Sequence, residues 1–123
     1  MKKYTLLLLP MLLVSCYNAE RNCKDFKTGT FRSEIVIDGV KHQTISQRTE
    51  KLVIETYKGK TDTASIRWIN DCEYILQQLH PRNMQQQKAV SIKILTTSKN
   101  SYTFEFGVVG DEQKLRGTAE KIN

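Results

Sequence analysis

The sequence contains few of the residues from which metal centres and cofactor sites are usually built. It has three cysteines and two histidines in 123 residues, and no two cysteines form a Cys-x-x-Cys pair. A zinc site takes four ligands and typically includes closely spaced cysteines. The chain also lacks a glycine-rich phosphate loop and a dinucleotide-binding fingerprint. We therefore expect neither a metal nor a cofactor.

Side chains that could act in catalysis are also sparse. His42 follows a turn signal and His80 precedes Pro81 in a polar segment, so both are expected in exposed loops or at strand edges. Asp71 and Glu73 are the nearest carboxylate pair, and glycosidase chemistry needs two acids that face one bond. Asp71, however, stands where a turn before a strand is expected. The sequence predicts no catalytic residue and favours a protein that is not an enzyme.

No hydrophobic run is long enough to span a bilayer, which takes about 20 apolar residues. The apolar run from Thr5 to Leu13 follows two lysines at the start of the chain and is followed by Val14-Ser15-Cys16. A positive start, a short apolar run and a small-residue cleavage site are typical of an export signal. The cysteine at its end matches the lipobox of bacterial lipoproteins, in which the thiol receives a diacylglyceryl group.

These features predict a signal peptide at 1–15, a lipidated Cys16 and a tether at 16–22. A buried N-terminal helix or strand and a transmembrane anchor are the alternatives. Two or more acyl chains on one residue give durable attachment, so the membrane is an expected partner. Tyr17 stands where an aspartate often retains lipoproteins at the inner membrane of Gram-negative bacteria. The expected location is therefore the cell envelope, at the outer membrane. The sequence does not decide between its periplasmic face and its outer surface.

Removal of the signal would leave about 108 residues, enough for one small domain at 23–123. The net charge of +6 would fall to about +4 with the loss of Lys2 and Lys3, and the remaining charges are scattered. Scattered charge is typical of a solvated surface. Aromatic residues interleaved with basic ones can bind nucleic acid, but the expected envelope location argues against such a partner.

Two cysteines remain once Cys16 is consumed by the lipid. An exported chain matures where disulfides persist, and Cys23 and Cys72 allow one pairing. The bridge would close a loop of about fifty residues and add roughly 4 kcal/mol of stability. A structural disulfide is the expected state, with free thiols as the alternative.

Alternation of apolar and polar residues dominates the rest of the chain, whereas helical periodicity is almost absent. Asp38-Gly39, Lys58-Gly59-Lys60, Ser98-Lys99-Asn100 and Gly110-Asp111 are turn signals between the alternating runs. The polar segment His80 to Lys88 is the one long connection. The runs predict eight strands within Thr30–Ile37, His42–Arg48, Lys51–Tyr57, Ala64–Trp68, Cys72–Gln77, Val90–Ile94, Tyr102–Val108 and Lys114–Ile122.

About eight sequential strands predict an all-β protein built as a small antiparallel up-and-down meander. A sheet with one apolar face must close or fold over, because open edges invite pairing with other chains. A barrel of this size either fills with side chains or holds one small ligand. The aromatic residues expected to point inward, as core or as the lining of a ligand site, are Phe31, Trp68, Tyr74, Tyr102, Phe104 and Phe106.

Two segments carry a family resemblance, Cys-x-x-Phe-Lys-Thr-Gly-x-Phe at 23–31 and Ile-x-Trp-x-x-x-Cys-x-Tyr-x-Leu at 66–76. In them the chain resembles an uncharacterised family of small envelope lipoproteins. The resemblance implies a paired Cys23 and Cys72, a Gly-x-Phe opening strand and a central Trp68. Members sometimes carry the label DNA topoisomerase IV, but strand passage needs a catalytic tyrosine in a very large dimeric assembly. The Gly29-Thr30-Phe31 opening and the strand count also resemble lipocalin-like barrels more distantly.

The expected function is binding without catalysis, by a lipid-anchored envelope protein. The ligand would be a small apolar molecule or a partner protein, bound at the mouth of the barrel or at an exposed strand edge. A small envelope hydrolase or isomerase is one alternative, and a purely structural or inhibitor-like module is another. An open, lined cavity would favour the small ligand, whereas a filled barrel would favour a surface interaction.

Overall fold

The computed structural model describes residues 21–123 of the chain. The predicted signal peptide, the lipidation site Cys16 and the tether up to residue 20 lie outside these residues. A short 3-10 helix spans Cys23–Phe26. The strands are β1 (Gly29–Ile37), β2 (Val40–Arg48), β3 (Leu52–Tyr57), β4 (Lys60–Asn70), β5 (Glu73–Gln78), β6 (Val90–Thr97), β7 (Ser101–Val108) and β8 (Leu115–Lys121).

The eight strands form one closed antiparallel barrel in sequence order, and β8 returns to pair with β1. The prediction of an all-β meander that closes on itself is confirmed. Closure gives each of the eight strands a partner on both sides, which removes the long edge that an open sheet would expose to other chains. The segment between β5 and β6, which includes His80 to Lys88, is the longest connection, as the sequence predicted.

Two tight hairpins show why the strands reverse where they do. Ile37 pairs with Val40 across the first hairpin, and Tyr57 pairs with Lys60 across the second. Both central residues of each turn have positive φ, at 50° and 77° for the first turn and 48° and 77° for the second. Two-residue turns of this kind match the right-handed twist of the flanking strands and favour glycine at the second position. Gly39 and Gly59 supply it.

The two ends of the barrel differ. At one end the 3-10 helix lies over the opening and buries Phe26 beside Tyr102, with 5.1 Å between the ring centroids. Cys23 is bonded to Cys72 in the turn between β4 and β5, with 5.1 Å between the alpha carbons. We call this end the closed end. The predicted disulfide therefore attaches the 3-10 helix to the barrel wall.

The opposite end, which we call the open end, carries the two tight hairpins and the connections from β5 to β6 and from β7 to β8. The hydrophobic core lies toward the closed end. Its fully buried side chains include Phe26, Phe31, Val53, Ile94 and Cys23. The core thins toward the open end, and a cavity lies between the core and that end.

Candidate functional site

A cavity of about 240 Å³ lies inside the barrel. Gln78 and Lys88, at the two ends of the β5–β6 connection, line its mouth, and a second depression shares both residues. The walls of the cavity are largely apolar, and its floor lies toward the closed end. The apolar lining consists of Ile35, Val53, Leu76, Val90, Ile92, Phe104 and Phe106. The barrel is thus not completely filled by its own side chains.

Four of the six aromatic residues expected inside the barrel line this cavity: Tyr74, Tyr102, Phe104 and Phe106. Phe31 is completely buried, but it packs below the floor against Phe26 and Tyr102. Trp68 is half-buried and packs against Tyr74, with Lys27 5.2 Å from the centroid of its ring. Phe31 and Trp68 therefore belong to the closed end and do not line the cavity.

A buried arginine, Arg48, forms the floor together with two tyrosines. The residue is 6% exposed. Its Nη1 donates a hydrogen bond to the carbonyl oxygen of Phe26 at 2.7 Å. Its Nη2 donates to the hydroxyls of Tyr74 and Tyr102 at 3.1 and 2.9 Å. The guanidinium also lies 4.2 Å from the centroid of the Phe31 ring, within the range of a cation–π interaction. Arg48 thus connects the 3-10 helix to the floor.

The surroundings of Arg48 keep it charged. Burial lowers the pKa of its guanidinium, but the attraction of Tyr74 and Tyr102 and the hydrogen bond to Tyr102 outweigh burial, so the pKa lies above its ordinary value. Burial also raises the pKa of the Tyr74 hydroxyl well above its ordinary value, although Arg48 acts in the opposite direction. Tyr74 is therefore a neutral hydroxyl, and the floor as a whole carries positive charge.

One donor of this floor has no partner. Among the described residues, nothing accepts a hydrogen bond from Nε of Arg48. A buried donor without a partner costs about 1–3 kcal/mol, and more when the group is charged. No carboxylate of residues 21–123 forms a salt bridge with Arg48 either. The floor is therefore a cationic site with unused hydrogen-bonding capacity.

A single carboxylate, Glu55, is present in the lining of the cavity. It pairs with Ser46 across β2 and β3, one inward position above the pair of Arg48 and Val53. Burial raises the pKa of Glu55, Arg48 lowers it, and Asp62 on β4 raises it again, so that the pKa lies above its ordinary value. The ionised form of Glu55 is thus disfavoured by folding.

Replacement of Glu55 by glutamine is expected to raise the melting temperature at neutral pH by a few degrees. Because the folded pKa is raised, protonated Glu55 favours the folded state at low pH. That contribution is lost as the pH rises through the folded pKa. The gain of Glu55→Gln should therefore disappear below the ordinary glutamate pKa of about 4.3. Thermal melts between pH 3.5 and 8 test this, with Glu112→Gln in the exposed β7–β8 connection as control. A lower melting temperature for Glu55→Gln at pH 7 would contradict the prediction.

The other residues considered for catalysis lie apart from the floor. His42 is half-buried in the part of β2 that pairs with β1 but not with β3, and its Nδ1 lies 2.6 Å from the hydroxyl of Tyr57. His80 is exposed in the β5–β6 connection. Asp71 is exposed in the β4–β5 turn, where it forms ion pairs with Lys24 and Lys27 on the outside of the barrel. The structure brings none of these three residues into the cavity.

Arg48 and Glu55 were not among the residues that the sequence singled out. The available signal was the alternation within each strand, which places Arg48 in phase with the buried Ser46 and Glu55 in phase with the buried Val53. Within residues 21–123, no three His, Cys, Asp or Glu side chains come together as a metal site would require. That part of the chain also contains no helix long and apolar enough to cross a membrane.

No family model, curated protein or solved structure matches the chain. The resemblance to small envelope lipoproteins therefore rests on the sequence pattern alone, in the two segments and more weakly at Arg48-Thr49-Glu50 and in the last two hairpins. Three residues of those segments lie at the closed end or on the floor: Cys72 in the disulfide, Phe31 below Arg48 and Tyr74 beside Arg48. The segments thus contribute residues that hold the closed end together.

Proposed function

We propose that the protein is a lipid-anchored envelope protein that binds a small, largely apolar molecule inside its barrel and does not act as an enzyme. The observation that carries the proposal is the cavity of about 240 Å³ between apolar walls. Ligand sites in proteins are commonly concave, mostly apolar and provided with a few polar groups that fix orientation. Arg48, Tyr74 and Tyr102 are such groups, and they lie together at one end of the cavity.

The proposed location in the cell envelope rests on the sequence pattern at 1–16. The lipid on Cys16 and membership of the lipoprotein family are proposed along with it. The enzymatic alternative has less support. Among the described residues, the cavity lining contains no histidine or cysteine, and Glu55 is its one carboxylate. A cysteine–histidine pair or a pair of carboxylates would need a second such group within hydrogen-bonding reach.

Binding of a partner protein is the second candidate, and one surface favours it. Val36, Ile37 and Val40 are 59%, 38% and 57% exposed around the first hairpin at the open end. Exposed apolar side chains that lie together mark interaction sites more often than scattered ones do. A partner at this hairpin would lie beside the mouth, so the two candidates are compatible.

The cavity is expected to bind 1-octanol, a neutral probe with one polar group, and a side chain that fills the cavity should abolish binding. Leu76→Trp places an indole in the cavity, whereas Ile75→Trp places it on the outer face of the same strand β5. Isothermal titration calorimetry would use the full-length product purified from cells in lipid nanodiscs, with empty nanodiscs as blank. Equal binding by both variants, or no binding by the unmodified protein, would refute the proposed ligand site.

A further inference from the structure

The cationic floor indicates what kind of small molecule the cavity accepts. A buried charge is costly unless it is paired and hydrogen-bonded. Arg48 is buried, yet no carboxylate of the described residues forms a salt bridge with it, and its Nε donates to no acceptor there. The half-buried Glu55 is the nearest source of negative charge along the lining, and folding disfavours its ionised form. A ligand with a negative charge would supply the missing partner.

The donors of the floor point to the form of that negative group. In a guanidinium, the N–H of Nε and one N–H of Nη2 lie on the same edge and match the two oxygens of a carboxylate. On this edge Nη2 already reaches the hydroxyls of Tyr74 and Tyr102. Each hydroxyl accepts from Arg48, and the two hydroxyls lie 3.5 Å apart, so one of them can donate to the other and the second keeps its proton for a ligand. An acceptor at Nε would therefore also lie close to a tyrosine hydroxyl donor.

The rest of the cavity suits a short hydrocarbon chain. Above the floor, Leu76, Val90, Ile92 and Phe104 form apolar walls that lead toward Gln78 and Lys88 at the mouth. The cavity of about 240 Å³ has room for a chain of several carbon atoms.

We propose that the cavity binds a short aliphatic carboxylate, with the carboxylate on Arg48 and the tyrosine hydroxyls and the chain between the apolar walls. This inference rests on the proposed ligand-binding function and specifies its ligand. In this orientation the methyl end of the ligand lies toward the mouth. Glu55 lies along the wall, and its carboxylate, when ionised, repels the negative charge of the ligand.

The test compares octanoate with octanamide, which has the same length and shape but no charge. Both are titrated calorimetrically into the full-length product in lipid nanodiscs at pH 7, with empty nanodiscs as blank. Octanoate should bind about ten- to a hundredfold more tightly, because hydrogen bonds to a charged partner are the stronger ones. Arg48→Met should remove most of this preference, and Arg48→Lys should retain part of it.

Glu55→Gln provides a second variant with the opposite expected sign, and it does not depend on whether Arg48→Met folds. Removal of the opposing carboxylate should raise the ratio of the octanoate affinity to the octanamide affinity severalfold. Equal affinities of the two probes for the unmodified protein would overturn the inference and leave the proposed binding function standing. A preference for octanoate that neither Glu55→Gln nor the Arg48 variants change would also overturn it. Failure of both probes to bind would count against the proposed function itself.

Discussion

Replacement of both Cys23 and Cys72 by serine is expected to lower the melting temperature by roughly 15–30 °C. The bond joins residues separated by 49 positions, and the chain-entropy estimate for such a loop is about 4 kcal/mol. For a domain of this size, each kcal/mol corresponds to about 4–8 °C. Unfolding of the double variant should begin at the 3-10 helix, because the bond attaches that helix to the β4–β5 turn and holds Phe26 over the core.

Thermal melts with and without dithiothreitol provide the measurement and its control. Reduction should lower the melting temperature of the unmodified protein by a similar amount and leave the double variant unchanged. A shift of only a few degrees in the double variant would show that Arg48 and the packing of Phe26 hold the closed end without the bond. Thiol labelling of both cysteines in protein purified without reductant would show that the bond is absent.

Replacement of Cys16 by alanine is expected to abolish processing of the chain. The unmodified product should lack residues 1–15 and carry a diacylglyceryl group, together with a further acyl chain on its new N-terminus. The variant should retain residues 1–15 and carry no lipid, because the thiol is the site of acylation. Intact-mass spectrometry of protein from the membrane fraction distinguishes the two products.

Ser15→Ala is the matched control for this experiment. Alanine keeps a small residue before the cysteine, so the control should be cleaved and lipidated like the unmodified chain. A normally cleaved Cys16→Ala product would refute the lipobox prediction and indicate an ordinary export signal. An unmodified product that retains residues 1–15 would refute the signal itself.

Much of the fold could be predicted because alternation and turn chemistry act locally. Tyr102, Phe104 and Phe106 alternate with polar neighbours, and that pattern alone places them on the inner face of β7. Asp38-Gly39 specifies a reversal through the positive φ of both residues. The sequential order of eight such strands then leaves few topologies, and closure follows from the cost of open edges.

The site was harder to predict because alternation states which face a residue occupies, but not its height along the barrel. Phe31 and Phe104 therefore cannot be told apart by alternation, although Phe31 lies below the floor and Phe104 lines the cavity. The burial of Arg48 does not follow from its position in the sequence, because an arginine at a strand end is usually exposed. Its burial depends on contacts with Phe26, Tyr74 and Tyr102, which lie 22 to 54 positions away in the sequence. The empty volume likewise depends on all the facing side chains together.

The way the chain leaves the barrel constrains how a ligand can reach it. Arg21 donates to the carbonyl oxygen of Ile94, and the backbone N–H of Asn22 donates to Thr97, so the chain departs from the closed end. From Arg21 back to Cys16 the covalent chain reaches at most about 18 Å. If Cys16 is in the membrane and the cavity binds a ligand, both as proposed, the mouth lies at the end of the barrel away from the anchor. A ligand would then reach the mouth through water, a route that favours molecules with one charged end over pure hydrocarbons, which stay dissolved in the bilayer.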